Sequence, residues 1–123
     1  MADLSKALTA ATSAINIEIA ALNNFAKTLE ANLTPALEII IGCKGHVVIT
    51  GLGKSGLVGA KIAATLSSTG TPSFFLHSTD ALHGDSGALT SGDVLIAISN
   101  SGETAEVNAI TKMAKSWGNP VIA

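Results

Sequence analysis

Three short, nearly unbroken apolar runs constrain this chain more than anything else in it: His46-Val-Val-Ile-Thr50, Ser73-Phe-Phe-Leu-His77 and Asp93-Val-Leu-Ile-Ala-Ile-Ser99. A strand wetted on one side alternates apolar and polar residues, whereas a strand covered on both sides does not need to. Between the runs lie stretches of helical length, Gly53 to Ser68 and Thr104 to Trp117, and Pro120-Val-Ile-Ala123 begins a fourth run. Buried strands separated by helices mean a parallel sheet with helices on both faces and right-handed crossovers. The predicted fold class is α/β, a doubly wound, flavodoxin-like sheet of about four strands in the order 2-1-3-4.

The first 42 residues follow a different pattern. Leu4, Leu8, Ala11, Ile15, Ile19 (or Leu22), Phe25 and Leu29 recur every three or four residues, which predicts one long amphipathic helix over about 3 to 31. Thr34-Pro35 then offers an N-cap followed by proline at a first helical position, opening a second, short helix that Gly42 closes. The expected organisation is a single domain over 1–123, with N-terminal helices at 1–42 and a βαβ core at 43–123. A helix that long exceeds what a small sheet can cover, so its stripe can meet another subunit as well as the core. With the short fourth strand and an unprotected edge strand, this predicts a homo-oligomer.

Composition narrows the function. The chain is 47% hydrophobic and 13% charged, yet the longest apolar run, Val94 to Ile98, is far short of the roughly 20 residues that span a bilayer. Twenty alanines and twelve glycines raise the hydropathy instead. Seven lysines, no arginine and nine acids give a net charge of −2, removing the usual electrostatic reason to bind nucleic acid. One cysteine, Cys43, rules out an internal disulfide, and no Cys/His cluster stands at metal-ligand spacing. With no signal-like start, the expected compartment is the cytoplasm. The stop inside the fourth strand, with no helix after it, predicts a C-terminally truncated piece.

Two glycine-containing segments follow buried strands and open helices. In Gly51-Leu-Gly-Lys-Ser-Gly-Leu-Val-Gly59 the glycines let backbone approach an anion, and the helix N-terminus turns its dipole toward it. Gly51-x-Gly53-x-x-Gly56 matches the dinucleotide fingerprint, but the second strand ends at His77-Ser78 without the acid that motif needs, and Asp80 lies past the strand. A Walker A loop would need glycine where Val48 stands. The competing reading is a loop that only makes a tight turn. In Ile98-Ser-Asn-Ser-Gly-Glu-Thr104, Ser101 could simply cap the helix, but Ser99, Ser101 and Thr104 clustered around Gly102 could together hold several phosphate oxygens. In order 2-1-3-4 both loops open into one crevice at the carboxyl ends of strands 1 and 3.

Between them runs Leu76-His-Ser-Thr-Asp-Ala-Leu-His-Gly-Asp85. Taken alone His83 is a surface histidine, but in a loop at the same sheet edge it could move a proton at a sugar oxygen. Lys54 and Glu106 could each be solvated charges, although a cation beside an anion loop has an obvious partner.

These segments together resemble the sugar isomerase (SIS) domain. Gly51-Leu-Gly-Lys-Ser-Gly56, Ser68-Thr-Gly-Thr-Pro-Ser-Phe-Phe75, Ala81-Leu-His-Gly-Asp-Ser-Gly87 and Ile98-Ser-Asn-Ser-Gly-Glu-Thr104 stand in its order and spacing over about residues 40 to 123, most closely as in bacterial D-arabinose 5-phosphate isomerases. The resemblance implies a metal- and cofactor-independent aldose-ketose isomerase interconverting D-ribulose 5-phosphate and D-arabinose 5-phosphate, feeding the Kdo sugar of lipopolysaccharide or capsule. It further implies a dimer or tetramer, with sites drawing on neighbouring subunits. Ser55, Ser99, Ser101 and Thr104 match phosphate-binding positions, with Gly53, Asn100 and Gly102 in the same two loops counted as substrate-binding. Lys54, His83 and Glu106 match catalytic positions. The family usually has Glu at Asp80 and Leu at Ser86, and it places a further glutamate and histidine beyond residue 123. Because SIS domains also serve as effector-binding modules, a non-catalytic phosphosugar sensor is the alternative.

Overall fold

The strands form where the apolar runs predict them. The computed structural model describes residues 3–123, in the order α1 (Leu4–Ile41), β1 (Val47–Gly51), α2 (Gly53–Ser68), β2 (Ser73–His77), α3 (Ser78–Leu82), a 3-10 turn (Asp85–Ala88), β3 (Val94–Ile98), α4 (Ala105–Ser116) and β4 (Val121–Ile122). The sheet is parallel throughout, in the order β2-β1-β3-β4.

Side chains alternate across a strand, so each strand feeds both layers. Val48, Leu76 and Leu95 pack with Ala81, Leu89, Ile110 and Ala114 on the face that α3 and α4 cover. Val47 and Ile49 pack with Ala63 of α2 and with Phe75, Ile96 and Ile98 on the other. Val48, Ile49, Leu95 and Ile110 are completely buried, and each contributes roughly 2 kcal/mol of burial free energy. This two-sided covering is what lets β1 read Val-Val-Ile without a polar break.

The described residues fall into two compact units, one running to Leu37 and the other from Glu38 to Ala123. The first consists of most of α1. Asp3 starts that helix, its Oδ1 accepting from the Ser5 and Lys6 N–H groups at 3.1 and 3.4 Å. No residue of α1 is buried, and Leu4, Leu8, Ile15, Ile17, Leu22 and Phe25 are all more than half exposed.

The expected division into a long and a short helix needs correction, because α1 runs unbroken through Pro35. Thr34-Pro35 is a local helix-start signal, but here it stands inside a continuous helix. Inside a helix the proline removes one hydrogen bond and crowds the preceding turn, at about 3 kcal/mol. Leu29, Leu33, Leu37 and Ile41 nevertheless continue the apolar stripe at a step of four straight past it.

Candidate functional site

Register gathers the chemistry-bearing residues at one edge of the sheet. Gly51 pairs with His77 of β2 and with Ile98 of β3, so three strands end in a single row. The segments beginning at Leu52, Ser78 and Ser99 therefore all leave from the carboxyl edge. After β1 the chain turns to α2 on one face, and after β3 it turns to α4 on the other. Connections that diverge from adjacent strands leave a crevice between them.

The first loop is built by its glycines. Leu52 is extended, with φ −126° and ψ 150°, and Gly53 takes φ +57°, a left-handed conformation that favours glycine. The helix then begins without a side-chain cap. The first N–H groups of a helix lack intrahelical acceptors, and their dipole favours an anion. Gly51 and Gly56 serve packing instead. A Cβ on Gly51 would lie 3.1 Å from the Gly56 nitrogen and 3.2 Å from the Ile98 oxygen, and one on Gly56 would lie 3.2 Å from the Gly51 oxygen. The loop is thus a tight seat of helix on strand that also presents an uncapped N-terminus. Lys54 is exposed on it and Ser55 is half-buried.

The second loop is a folded hydroxyl cluster. The Ser99 and Thr104 hydroxyls are 3.0 Å apart, and the Gly102 N–H donates to Ser99 Oγ at 3.1 Å. The Glu103 N–H donates to Ser101 Oγ at 3.1 Å, and Asn108 Nδ2 donates to the Gly102 carbonyl at 3.1 Å. Gly102 makes the bend at φ +71°. Thr104, not Ser101, occupies the N-cap position of α4. Asn100 and Ser101 are exposed, while Glu106, in the first turn of α4, is half-buried.

The His83 segment, expected as a loop, is largely helical. Ser78–Leu82 forms α3, with His83 at its C-cap, and Asp85–Ala88 forms the 3-10 turn. Apolar anchoring explains the order: Ala81 and Leu89 are sunk in the layer with α4. His83 itself is exposed.

The structure brings Ser99, Gly102 and Thr104 into direct contact and sets Gly53, Lys54 and Ser55 on the neighbouring strand's loop. Lys54, His83 and Glu106 form no ion pair or side-chain hydrogen bond with one another among the described residues. Sequence reasoning missed Ser78. It is completely buried, and its hydroxyl donates to the Gly51 carbonyl at 3.3 Å, tying α3 to the glycine loop. The signal was available in its place, one residue past the strand-end row. Thr50, also completely buried, has no hydrogen-bond partner for its hydroxyl among the described residues.

The buried carboxyl of Asp93 lies at the opposite edge. Burial pushes it upward, but hydrogen bonds from the His46 and Thr90 N–H groups, the Thr90 hydroxyl and the His46 ring outweigh that and hold it below the ordinary carboxylate range. A hollow of about 330 Å³ bordered by Glu38, Cys43, Lys44, Gly92 and Pro120 also lies at that amino edge, away from the crevice.

Residues 39–123 match the family model for the SIS domain. The chain is 52% identical over 105 residues to the arabinose 5-phosphate isomerase KpsF of Escherichia coli O6:H1 strain CFT073, covering 85% of this chain and 32% of that protein. It is 46% identical over 109 residues to the arabinose 5-phosphate isomerase KdsD of Pseudomonas aeruginosa, covering 89% and 33%. Among solved structures, the c3406 protein of E. coli CFT073, solved in complex with a phosphosugar, superposes with a TM-score of 0.68 at 42% identity, covering 89% of this chain and 62% of that one. The chain spans about a third of the length of the curated relatives it matches.

Proposed function

The chain belongs to the SIS domain family, and we propose that it is the phosphosugar-holding part of an aldose-ketose isomerase acting on D-ribulose 5-phosphate and D-arabinose 5-phosphate. The observation that carries this reading is the strand-end row Gly51, His77, Ile98, from which an uncapped glycine loop and a hydroxyl cluster open on adjacent strands. The likeness to arabinose 5-phosphate isomerases along most of the chain supports the choice of sugar.

In this reading the phosphate is received by the N–H groups at Gly53 to Ser55 and by the hydroxyls of Ser55, Ser99, Ser101 and Thr104, with Asn100 and Gly102 shaping the second loop. Holding a group remote from the reacting carbons fixes orientation and supplies binding energy that can be used at the transition state. A base takes a proton from C1 of the ketose, beside its C2 carbonyl, and the electron pair moves to give a cis-enediolate. Returning a proton to C2 while C1 becomes the carbonyl carbon completes the aldose. We assign the proton transfers to His83 and Glu106 and the charge of the enediolate to Lys54. A positioned acid or base contributes about 10²- to 10⁴-fold.

We read the assembly as a homo-oligomer, supported by the exposed apolar residues of α1 and by Leu57 and Val58 exposed on α2. The compartment we assign is the cytoplasm, where the free thiol of Cys43 stays reduced. No helix among the described residues is long and apolar enough to cross a membrane.

The second reading is a phosphosugar-binding module without turnover, favoured by the absence of contacts linking Lys54, His83 and Glu106 among the described residues. Following conversion of ribulose 5-phosphate by NMR separates the two. We expect arabinose 5-phosphate to accumulate, and Ser101→Ala to weaken substrate binding. Binding without conversion supports the module, and no binding of any pentose phosphate overturns both.

A further inference from the structure

The stretch from the end of β2 to Asp85 carries two histidines, His77 and His83, and only His83 enters the reading above. His77 is the last residue of β2 and stands in register with Gly51, at the root of the glycine loop. Its ring lies edge-on to Phe75, with centroids 6.2 Å apart and planes at 78°. Phe75 in turn lies where a Cβ on Gly56 or Gly59 would meet it, at 3.3 and 3.1 Å. The imidazole therefore shares the face of the sheet from which α2 departs.

The two ring nitrogens have different surroundings. Nδ1 is buried and has no hydrogen-bond partner among the described residues, yet the side chain as a whole is 38% exposed. The exposed part is therefore the rest of the ring, which carries Nε2. Asp80 Oδ2 stands 3.8 Å from Nδ1. That is just too long for a hydrogen bond and within reach of a carboxylate rotation. A buried donor left unmade is costly, so an acceptor this near selects the tautomer with the proton on Nδ1. Ser78, between the two residues, is completely buried and bonded to the Gly51 carbonyl, which ties this turn to the glycine loop.

We propose that His77 is a further substrate-positioning residue: Asp80 accepts its Nδ1–H, and Nε2 is left as a fixed acceptor for a hydroxyl of the bound sugar phosphate. The inference rests on the phosphosugar reading above. A clamp on the phosphate alone leaves an open-chain sugar free to rotate. A second contact from the neighbouring strand end orients the carbon chain, and an acceptor matched to a hydroxyl discriminates against ligands that lack one.

Calorimetric titration of the full chain with ribulose 5-phosphate and, separately, with inorganic phosphate tests it. His77→Phe keeps a ring against Phe75 and removes Nε2. We expect pentose phosphate to bind about tenfold more weakly while inorganic phosphate stays within about twofold, since one hydrogen bond to the sugar is lost. His77→Gln, whose amide reaches the Nε2 position, recovers part of the loss. Asp80→Asn, at an exposed position that keeps the fold even where His77→Phe does not, weakens the pentose phosphate selectively by a smaller factor. Unchanged pentose phosphate binding in both His77→Phe and Asp80→Asn overturns the inference, as does a parallel loss of both ligands. If the unsubstituted chain binds no pentose phosphate, the phosphosugar reading itself fails. If it does bind, a failure belongs to His77 alone.

Discussion

The buried polar groups at the sheet's amino edge are paired, whereas two at its carboxyl edge have no partner among the described residues. Asp93 is completely buried but accepts from the His46 and Thr90 N–H groups, both at 2.6 Å, and from the Thr90 hydroxyl at 2.9 Å. The Asn119 amide donates to the carbonyls of Thr90 and Asp93 at 2.8 and 3.0 Å. The Gly92 carbonyl receives the Lys44 and Gly45 N–H groups and the Cys43 thiol. At the other edge, Thr50 Oγ1 and His77 Nδ1 are buried without partners among the described residues, and α2 starts uncapped. Buried polar groups are normally paired, and these two unpaired ones stand at the edge from which the loops we propose as phosphate-holding depart. One small sheet thus separates an end whose buried polar groups are paired from the end at which we propose the site.

Removing the centre of the amino edge should give the largest effect. Asp93→Ala leaves two backbone N–H groups and the Thr90 hydroxyl without their acceptor inside the protein. The expected cost is about 3 kcal/mol, a fall in Tm of roughly 10 °C by calorimetry. The folded fraction should still bind pentose phosphate normally. The pH dependence has a definite sign. A carboxyl held below its unfolded value of 3.8 contributes stability above that pH and loses it as the pH falls through the lower folded value. The stability gap between the chain and Asp93→Asn should therefore narrow on acidification below about pH 3.8. A variant that keeps its Tm but loses ligand would dissolve the division between the two edges.

Ser99→Ala should do the reverse. It removes a hydroxyl paired with Thr104 and bonded to the Gly102 N–H, in a loop that is largely exposed. Stability should change by less than about 1 kcal/mol, while pentose phosphate binding weakens about tenfold, the worth of one or two hydrogen bonds to an anion. Equal losses in Tm and affinity would make Ser99 a structural residue and extend the amino edge's character to the other end.

The legibility of the chain follows the same line. Strands and order could be read because a doubly covered strand must be apolar, and β2 and α2 carry the predicted limits. The glycine loop could be read because φ +57° at Gly53 and the close approach at Gly51 and Gly56 restrict what can stand there. Pro35 misled because its signal is local, while the helix it sits in is sustained by a stripe on both sides. The helical turn holding His83 was hidden because it depends on Ala81 and Leu89 reaching residues of α4 that lie far away in sequence. Asp93 looked like the polar start of a strand, and nothing local says that Gly45 is glycine because a Cβ there would press on the Asp93 carboxylate.

The smallest expected effect has the most diagnostic sign. Thr50 is completely buried in β1, a central strand, one residue before the glycine loop, and its hydroxyl has no partner among the described residues. Valine has nearly the same shape without the hydroxyl, so Thr50→Val removes an unpaired polar atom and leaves the packing in place. If the carboxyl edge carries a stability cost, this substitution should stabilise the chain by up to about 1 kcal/mol, a rise of a few degrees in Tm. Destabilisation would mean that the hydroxyl is satisfied after all and that the two edges differ less than their hydrogen bonds indicate. Stabilisation with unchanged pentose phosphate affinity would place the cost in the core beneath the site. Stabilisation with weakened affinity would make Thr50 part of the site, held unsatisfied at the expense of the fold.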